Sequence, residues 1–500
     1  MQDFTPTRRE RIDGLALFAA VAFAIGVGAI ATLERVGAPD GFVEALGPLF
    51  AFAMLSVIGL ANRAVNLTDF LAARRAGPVL YGGLAFIALV AGVVLARAEA
   101  AGRVDAVAWT PIAIGAALAG LVVAPALRAT QVSAIPDVLA TRFPAAPLRI
   151  VFSLVVFAIG LLTALAGFRL ATQALAAEFQ ANARLGAAFV VAALVFTLAP
   201  GGARSAFWTD AASGGGALMI ALFGALLAAL NLSAPWAPLG AGLARLTDDV
   251  ATAGAQPGPS VALAVAFAFF LPLTTPALAA RSEGEAMRMG AAGVVLAFVA
   301  LAAAVVALPY VAGAPGGASH TGQALISAAT WLPTVALARS GAWISARAIG
   351  LDLTRTHTRL TVLSSQRIAL SRLAMLATIA ICPFFLRFSE VSAGGALTFA
   401  LALTLAFVAP SLLLAMTLRS RGSSFVAAGA LFAASTSWGL SWKVAPAAFH
   451  ADGVLIQALL AGAAGLAIGA FVALVYPDRA DATALPTSDA FAETPFDPVD

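Results

Sequence analysis

Uninterrupted apolar runs of membrane-spanning length recur along the whole chain. They lie near residues 13–33, 45–62, 79–97, 107–127, 148–178, 185–200, 207–231, 258–276, 287–312, 323–350, 368–388, 394–418, 423–443 and 454–476. A run of about 20 apolar residues matches the hydrocarbon thickness of a bilayer. Of the 500 residues, 61% are hydrophobic and 11% charged, with a mean hydropathy of +0.95. A soluble domain carries about 25% charged residues, so no soluble core accommodates this chain. The runs are continuous, alanine-rich and longer than the strands of a membrane barrel. In lipid a non-barrel chain must close its backbone hydrogen bonds within helices. The expected fold class is therefore an all-α polytopic membrane protein with about fourteen transmembrane helices.

Basic residues set the orientation. Of the 29, 20 fall in segments on the side of the N-terminus, 7 on the other side, and two, Arg169 and Arg339, inside spans. By the positive-inside rule both termini are cytoplasmic. Arg8-Arg9-Glu10-Arg11 followed by an apolar run resembles a secretory signal, but no small-residue cleavage site follows, so an uncleaved first span is expected. A single lysine, Lys443, among so many arginines is the usage of a GC-rich bacterium and points to the inner membrane. The segment 477–500 has six acids, one base and three prolines, a composition expected to stay disordered. One cysteine, Cys382, and three scattered histidines, His320, His357 and His450, offer no disulfide and no metal set. The expected partners are the lipid bilayer and a small solute. No basic–aromatic face suggests nucleic acid, and no HExxH, P-loop or nucleophile elbow suggests an enzyme.

The stretch PGGARSAFWTDAASGGG, residues 200–216, interrupts this apolar pattern. Pro200 ends one helix, Gly201-Gly202 turn the chain, and Arg204 stays on the basic side. Phe207 and Trp208 suit the headgroup layer, and Asp210 is expected in the first helical turn, at the positive end of the helix dipole. The spelling also resembles a signature of the sodium:solute symporter family: Gly-Gly, a basic residue, then aromatic-Thr-Asp. Other motifs follow in order: NLTDFLAARR (66–75), IPDVLATRF (135–143), TPALAAR (275–281) and GLDLTR (350–355). The stretch 407–433 resembles the tenth core helix and its exit in the cation/acetate subgroup. Together the similarity runs over about residues 45–440.

The resemblance implies a leucine-transporter-like fold of two inverted five-helix repeats. Its domains would be 1–78, an N-terminal stub with two extra helices; 79–231, the first repeat; 232–257, an outside loop; 258–418, the second repeat; 419–476, two C-terminal helices; and 477–500, the tail. It further implies that the first and sixth core helices break near their middles to meet substrate and ion. In the sixth, Pro272 and Pro276 bracket Thr274-Thr275. In the first, Gly82-Gly83 is the flexible point, with glycine as a packing surface the plain alternative. The substrate-binding residues so implied are Gly82, Gly83, Pro272, Thr274, Thr275, Arg339 and Ser340.

In the family, sodium is held by first-helix carbonyls and by paired hydroxyls on the eighth helix. Counted back from Asp352, those hydroxyl positions fall near Ala336 and Leu337. The first core helix lacks a serine-rich run, and hard cations need several oxygens. No acid is expected at the centre of a span, whereas Arg339 lies deep in one beside Ser340. A charge at that depth costs at least ~2.5–3.5 kcal/mol and is functional or paired. Arg339 is accordingly read as a cation surrogate, with crevice-facing or carbonyl-bound arginine as the plainer alternative; Arg169 is expected to snorkel. The function implied is secondary transport of a small organic anion, a monocarboxylate such as acetate, by alternating access, with no cofactor; Na+ coupling is left open, Arg339 serving either to bind a carboxylate or to permit sodium-independent exchange. The alternative is a non-transporting sensor or partner subunit of the same fold. Gly465-x-x-x-Gly469 offers a close-packing face that would suit dimerisation.

Overall fold

The computed structural model describes residues 6–475, apart from 65, 76, 102–107, 131–137, 140–142, 144–145, 179–182, 232–243, 245–247, 253, 255–256, 314–318, 354–363, 389–390, 418–423 and 445–451. The acidic tail, most of the 232–257 loop, and His357 and His450 lie outside the described residues, as do parts of the IPDVLATRF and GLDLTR motifs.

Each apolar run is mainly helical over its described residues. The order is α1 (Pro6–Arg35), α2 (Asp40–Ala61), a short α3 (Leu67–Ala72) closed by a 3-10 turn (Ala73–Arg75), and α4 (Val79–Ala101). Then come α5 (Trp109–Leu118) and α6 (Ala124–Ala129), one span with a π-helical turn between them, α7 (Ala146–Glu178), α8 (Ala183–Leu198) and α9 (Ala203–Asn231). Helices α10 (Pro257–Ala268) and α11 (Leu271–Leu278) form one interrupted span, followed by α12 (Glu283–Gly313) and α13 (His320–Arg347), the latter prolonged by a π turn (Ala348–Leu353). The chain continues through α14 (Ser364–Phe388), the π-joined α15 (Ala393–Leu403) and α16 (Ala409–Thr417), α17 (Ser424–Val444) and α18 (Asp452–Val475). Among the described residues 10 helical segments are long and apolar enough to cross a membrane, and two more, within α8 and α17, are apolar but shorter. No described residue is in a strand. The protein is a multi-pass, all-helical membrane protein.

Helix α13 is the axis of the bundle. Every residue from Trp331 to Arg347 is buried, as befits a helix surrounded by others rather than by lipid. Small residues bring its backbone against α7. A Cβ on Gly341 would lie 2.3 Å from the Ala164 nitrogen, and one on Gly167 would lie 2.3 Å from the Ala338 nitrogen. Such contacts are the membrane's substitute for hydrophobic driving force, since lipid is as apolar as the side chains. Thr334, Ala338, Gly341 and Ser345 therefore face α7. Arg339, one residue on from Ala338 and so about 100° round the helix, meets α9 instead.

Two expectations about broken helices separate here. The sixth core span is interrupted between Ala268 and Leu271, where Phe270 is extended at φ −68, ψ 115. The break precedes both prolines: Pro272 sits in the first turn of α11, where its missing N–H costs nothing, and Pro276 lies inside that helix. The first core span, α4, is continuous. It has no proline, and its glycines are used for packing. Gly82 abuts the Met289 side chain, and Gly83 abuts Ala292 and the Gly293 backbone, all on α12. Gly465 and Gly469 likewise pack on Ala430 of α17 within the same chain, which accounts for that motif without a second copy.

Candidate functional site

The turn at residues 200–205 is held from several sides. Gly202 has φ +55, and a Cβ there would lie 2.7 Å from the Phe70 carbonyl oxygen, so only glycine fits. Arg204 Nη1 donates to Asp69 Oδ2 at 3.1 Å, joining the NLTDFLAARR and GGARSAFWTD motifs. Arg372 Nη2 donates to the Pro200 carbonyl at 3.0 Å, and its guanidinium lies 5.7 Å from the Phe70 ring centre. The Phe70 ring in turn meets Trp343 edge-on at 5.4 Å.

From that turn α9 carries a ladder of hydroxyls into the bundle. Ser205 Oγ donates to the carbonyls of Thr197 and Gly59, Thr209 Oγ1 to Ser205 O at 2.7 Å, and Ser213 Oγ to Thr209 O at 2.8 Å. Asp210 stands within this ladder. Because α9 begins at Ala203, Asp210 is about two turns inside the helix and 6% exposed, not in the first turn as expected. It is the acid that Arg339 needs. Arg339 Nε and Nη2 donate to Asp210 Oδ1 at 2.8 and 2.5 Å, and Nη2 also reaches Ser213 Oγ at 3.3 Å. Arg339 is wholly buried. The expectation of no acid within a span, and of an Arg339 with no acid nearby, is thus corrected: Asp210 does lie there, and it pairs with the one arginine that is wholly buried among the described residues. Arg339 Nη1 and Ser340 Oγ are buried without a partner among the described residues.

A cavity with about 420 Å³ of empty space, its mouth included, opens beside this pair. Asp210, Arg347, Trp343, Phe207, Thr275 and Pro276 are among its walls. Of the residues expected to bind substrate, Thr275 lines it. Thr274 is buried, and both threonine hydroxyls donate to Leu271 O, at 2.9 and 3.0 Å, which closes the first turn of α11. Pro272 is buried in α11. Gly82 and Gly83 face α12, and Ser340 and Arg339 lie behind the cavity wall. Arg169 does reach outward, giving Nη1 to the Val391 carbonyl at 2.6 Å.

The residues at the expected sodium position do not fit a cation. Ala336 and Leu337 are buried and bring no side-chain oxygen. A Cβ on Gly92 of α4 would lie 2.6 Å from the Pro333 carbonyl oxygen and 3.0 Å from the Leu337 Cβ, so α4 and α13 are already in contact there. The nearest buried carboxylate, Asp210, is engaged by a guanidinium.

Neither family models nor curated proteins give a match to this chain. Among solved structures it is similar to a Na+-coupled sialic acid symporter in a substrate-bound outward-open state, described as revealing a novel Na+-site. The identity is 14% and the TM-score 0.63, over 87% of this chain and 98% of that one. The likeness establishes the fold as leucine-transporter-like.

Proposed function

We propose that this chain is a secondary transporter that moves a small organic anion by alternating access, with the Arg339–Asp210 pair in the structural place of a bound cation. The observation that carries the reading is that ion pair. It joins α9 to α13, is buried at membrane depth, and sits beside a cavity whose wall includes a further cation, Arg347. Charges at that depth are costly unless paired, and they mark solute pathways. The similarity to a symporter of an acidic sugar supports a carboxylate substrate. Among the described residues a single cavity-wall acid, engaged by Arg339, leaves room for one anionic group, which favours a monocarboxylate. Residues 79–231 and 258–418 are proposed as the inverted repeats, with the cavity between α4, α9, α11 and α13 as the cytoplasmic approach to the substrate.

Because Oδ1 of Asp210 takes both guanidinium bonds, Arg339 is a fixed internal charge and not a free anion ligand. Sodium then has no role in holding α13 to its neighbours. The test is counterflow in proteoliposomes with labelled acetate, lactate, pyruvate and N-acetylneuraminate, with and without sodium. Saturable exchange of a monocarboxylate, equal in the two conditions, is expected. Strict sodium dependence, or normal exchange by Arg339→Ala, overturns the surrogate charge. A ligand-induced thermal shift with no flux of any of the four overturns transport in favour of a sensor.

A further inference from the structure

We propose that Asp210 is the residue at which this chain takes up a proton, and that proton and anion enter the cavity as a pair. The inference rests on the transport reading above and adds the coupling ion to it.

The geometry of one carboxylate carries it. Both bonds from Arg339 converge on Oδ1, and Oδ2 receives none from any described residue. The exposed 8% of the Asp210 side chain borders the cavity. A proton arriving through that cavity therefore meets a lone pair that no protein group occupies. Protonation forms an O–H bond at Oδ2 and leaves Arg339 as guanidinium, so the net charge of the pair rises by one unit.

The surroundings set the consequence of that added charge. Arg339 touches Asp210 from α13, and Arg347 of the same helix shares the cavity wall. Asp69 of α3 is committed to Arg204 at the start of α9. Helices α2 and α8 meet this part of α9 through the Gly59 and Thr197 carbonyls, and α4 packs there through Leu84. Arg75, on the turn after α3, is held near the same end of the bundle. Among the described residues no second carboxylate lines the cavity. With Asp210 neutral, the buried Arg339 guanidinium loses the one acid that contacts it among the described residues, a state that is unfavourable until an anion enters the cavity beside it. Linkage then requires that the anion tighten proton binding by the same factor as the proton tightens anion binding. One proton and one monocarboxylate move together, and the step is electroneutral.

Two measurements test this. In purified protein, an infrared titration from acid to alkaline pH should show a protonated-carboxyl band on acidification that is absent from Asp210→Asn. A band unchanged in that variant, or no such band, overturns the proposal. In sodium-free proteoliposomes, an inward gradient of one pH unit should support about tenfold accumulation of labelled pyruvate at one proton per anion. Asp210→Asn should give no accumulation at any exchange rate it retains. Should Asp210→Asn fail to fold, Asp210→Asn/Arg339→Gln removes both charges together, and Asp210→Glu should restore the gradient response. Pyruvate counterflow at equal pH without gradient-driven accumulation overturns proton coupling alone. Absence of that counterflow counts against transport of this anion, while the infrared band still reports on Asp210.

Discussion

Arg339 and Asp210 lie 129 residues apart in the sequence and meet through a single carboxylate oxygen in the middle of the bundle. Neither side chain has another ionic partner in contact, so each is the other's only neutralising charge among the described residues.

Removing one partner should therefore be far worse than removing both. Breaking a buried pair by truncating one side costs about 3–5 kcal/mol, whereas replacing both with apolar groups of similar volume is often neutral or stabilising. Arg339→Met and Asp210→Leu are each expected to lower the detergent melting temperature sharply, and the double variant to recover most of the loss. Additive losses in a thermal-denaturation cycle would mean that the two charges are not coupled.

The positions of the helices were legible in the sequence because a membrane helix is specified by local composition. The partner of Arg339 was not, because its position depends on how α9 packs on α13. One signal was present. A charge buried in lipid needs its opposite, and Asp210 is followed one turn later by Ser213 on the same face, inside an apolar run. Placing the helix start at Phe207 rather than at Ala203 put Asp210 at a helix end and hid it. The roles of Gly82 and Gly83 were obscured for a similar reason: glycine permits a break or a close contact equally, and only Met289 and Ala292 across the interface decide between them.

Gly202 should tolerate no side chain. Its left-handed backbone alone costs an alanine about 1–2 kcal/mol. The added Cβ would also meet the Phe70 carbonyl at 2.7 Å and its ring at 2.8 Å, displacing the segment that Asp69 and Arg204 hold together. Gly202→Ala is expected to lower the melting temperature, whereas Gly215→Ala, whose nearest contact would be an ordinary 3.7 Å, should leave it nearly unchanged. Equal melting temperatures for the two variants would refute this.

The opposite end of the bundle carries a pH-dependent clasp. His320, at the start of α13, contacts Glu44 through Nδ1 at 2.9 Å and Asp40 through Nε2 at 3.2 Å. Glu34 receives the backbone N–H groups of His320 and Thr321 at 2.9 and 3.1 Å. The Glu44 hydrogen bond first, and the charges of Asp40, Glu44 and Glu34 after it, raise the His320 pKa above its ordinary 6.5. A group whose pKa is raised by folding stabilises fully below its unfolded value, and that contribution is lost as pH rises through the folded one. Melting temperature should thus decline from about pH 6.5 upward, and His320→Gln should flatten that decline. An unaltered pH profile in the variant would show that the clasp contributes nothing. The side chains are solvent-accessible, so salt should weaken the effect.

The cavity beside Asp210 is expected to open to the cytoplasm, since it lies at the end of the bundle that holds Arg204, Arg347 and Arg372. Cys382, the one cysteine, is wholly buried in α14 and should be silent towards a membrane-impermeant maleimide. Ala203, at the start of α9, is half-buried and lines the cavity, so Ala203→Cys supplies a single reactive thiol at its mouth. Labelling should occur in inverted membrane vesicles and not in right-side-out ones. The reverse result would invert the assigned topology, and proton and anion would then meet Asp210 from outside the cell. Protection of that thiol by pyruvate at acid pH, and its loss at alkaline pH, would tie occupancy of the cavity to the charge state of the carboxylate behind it.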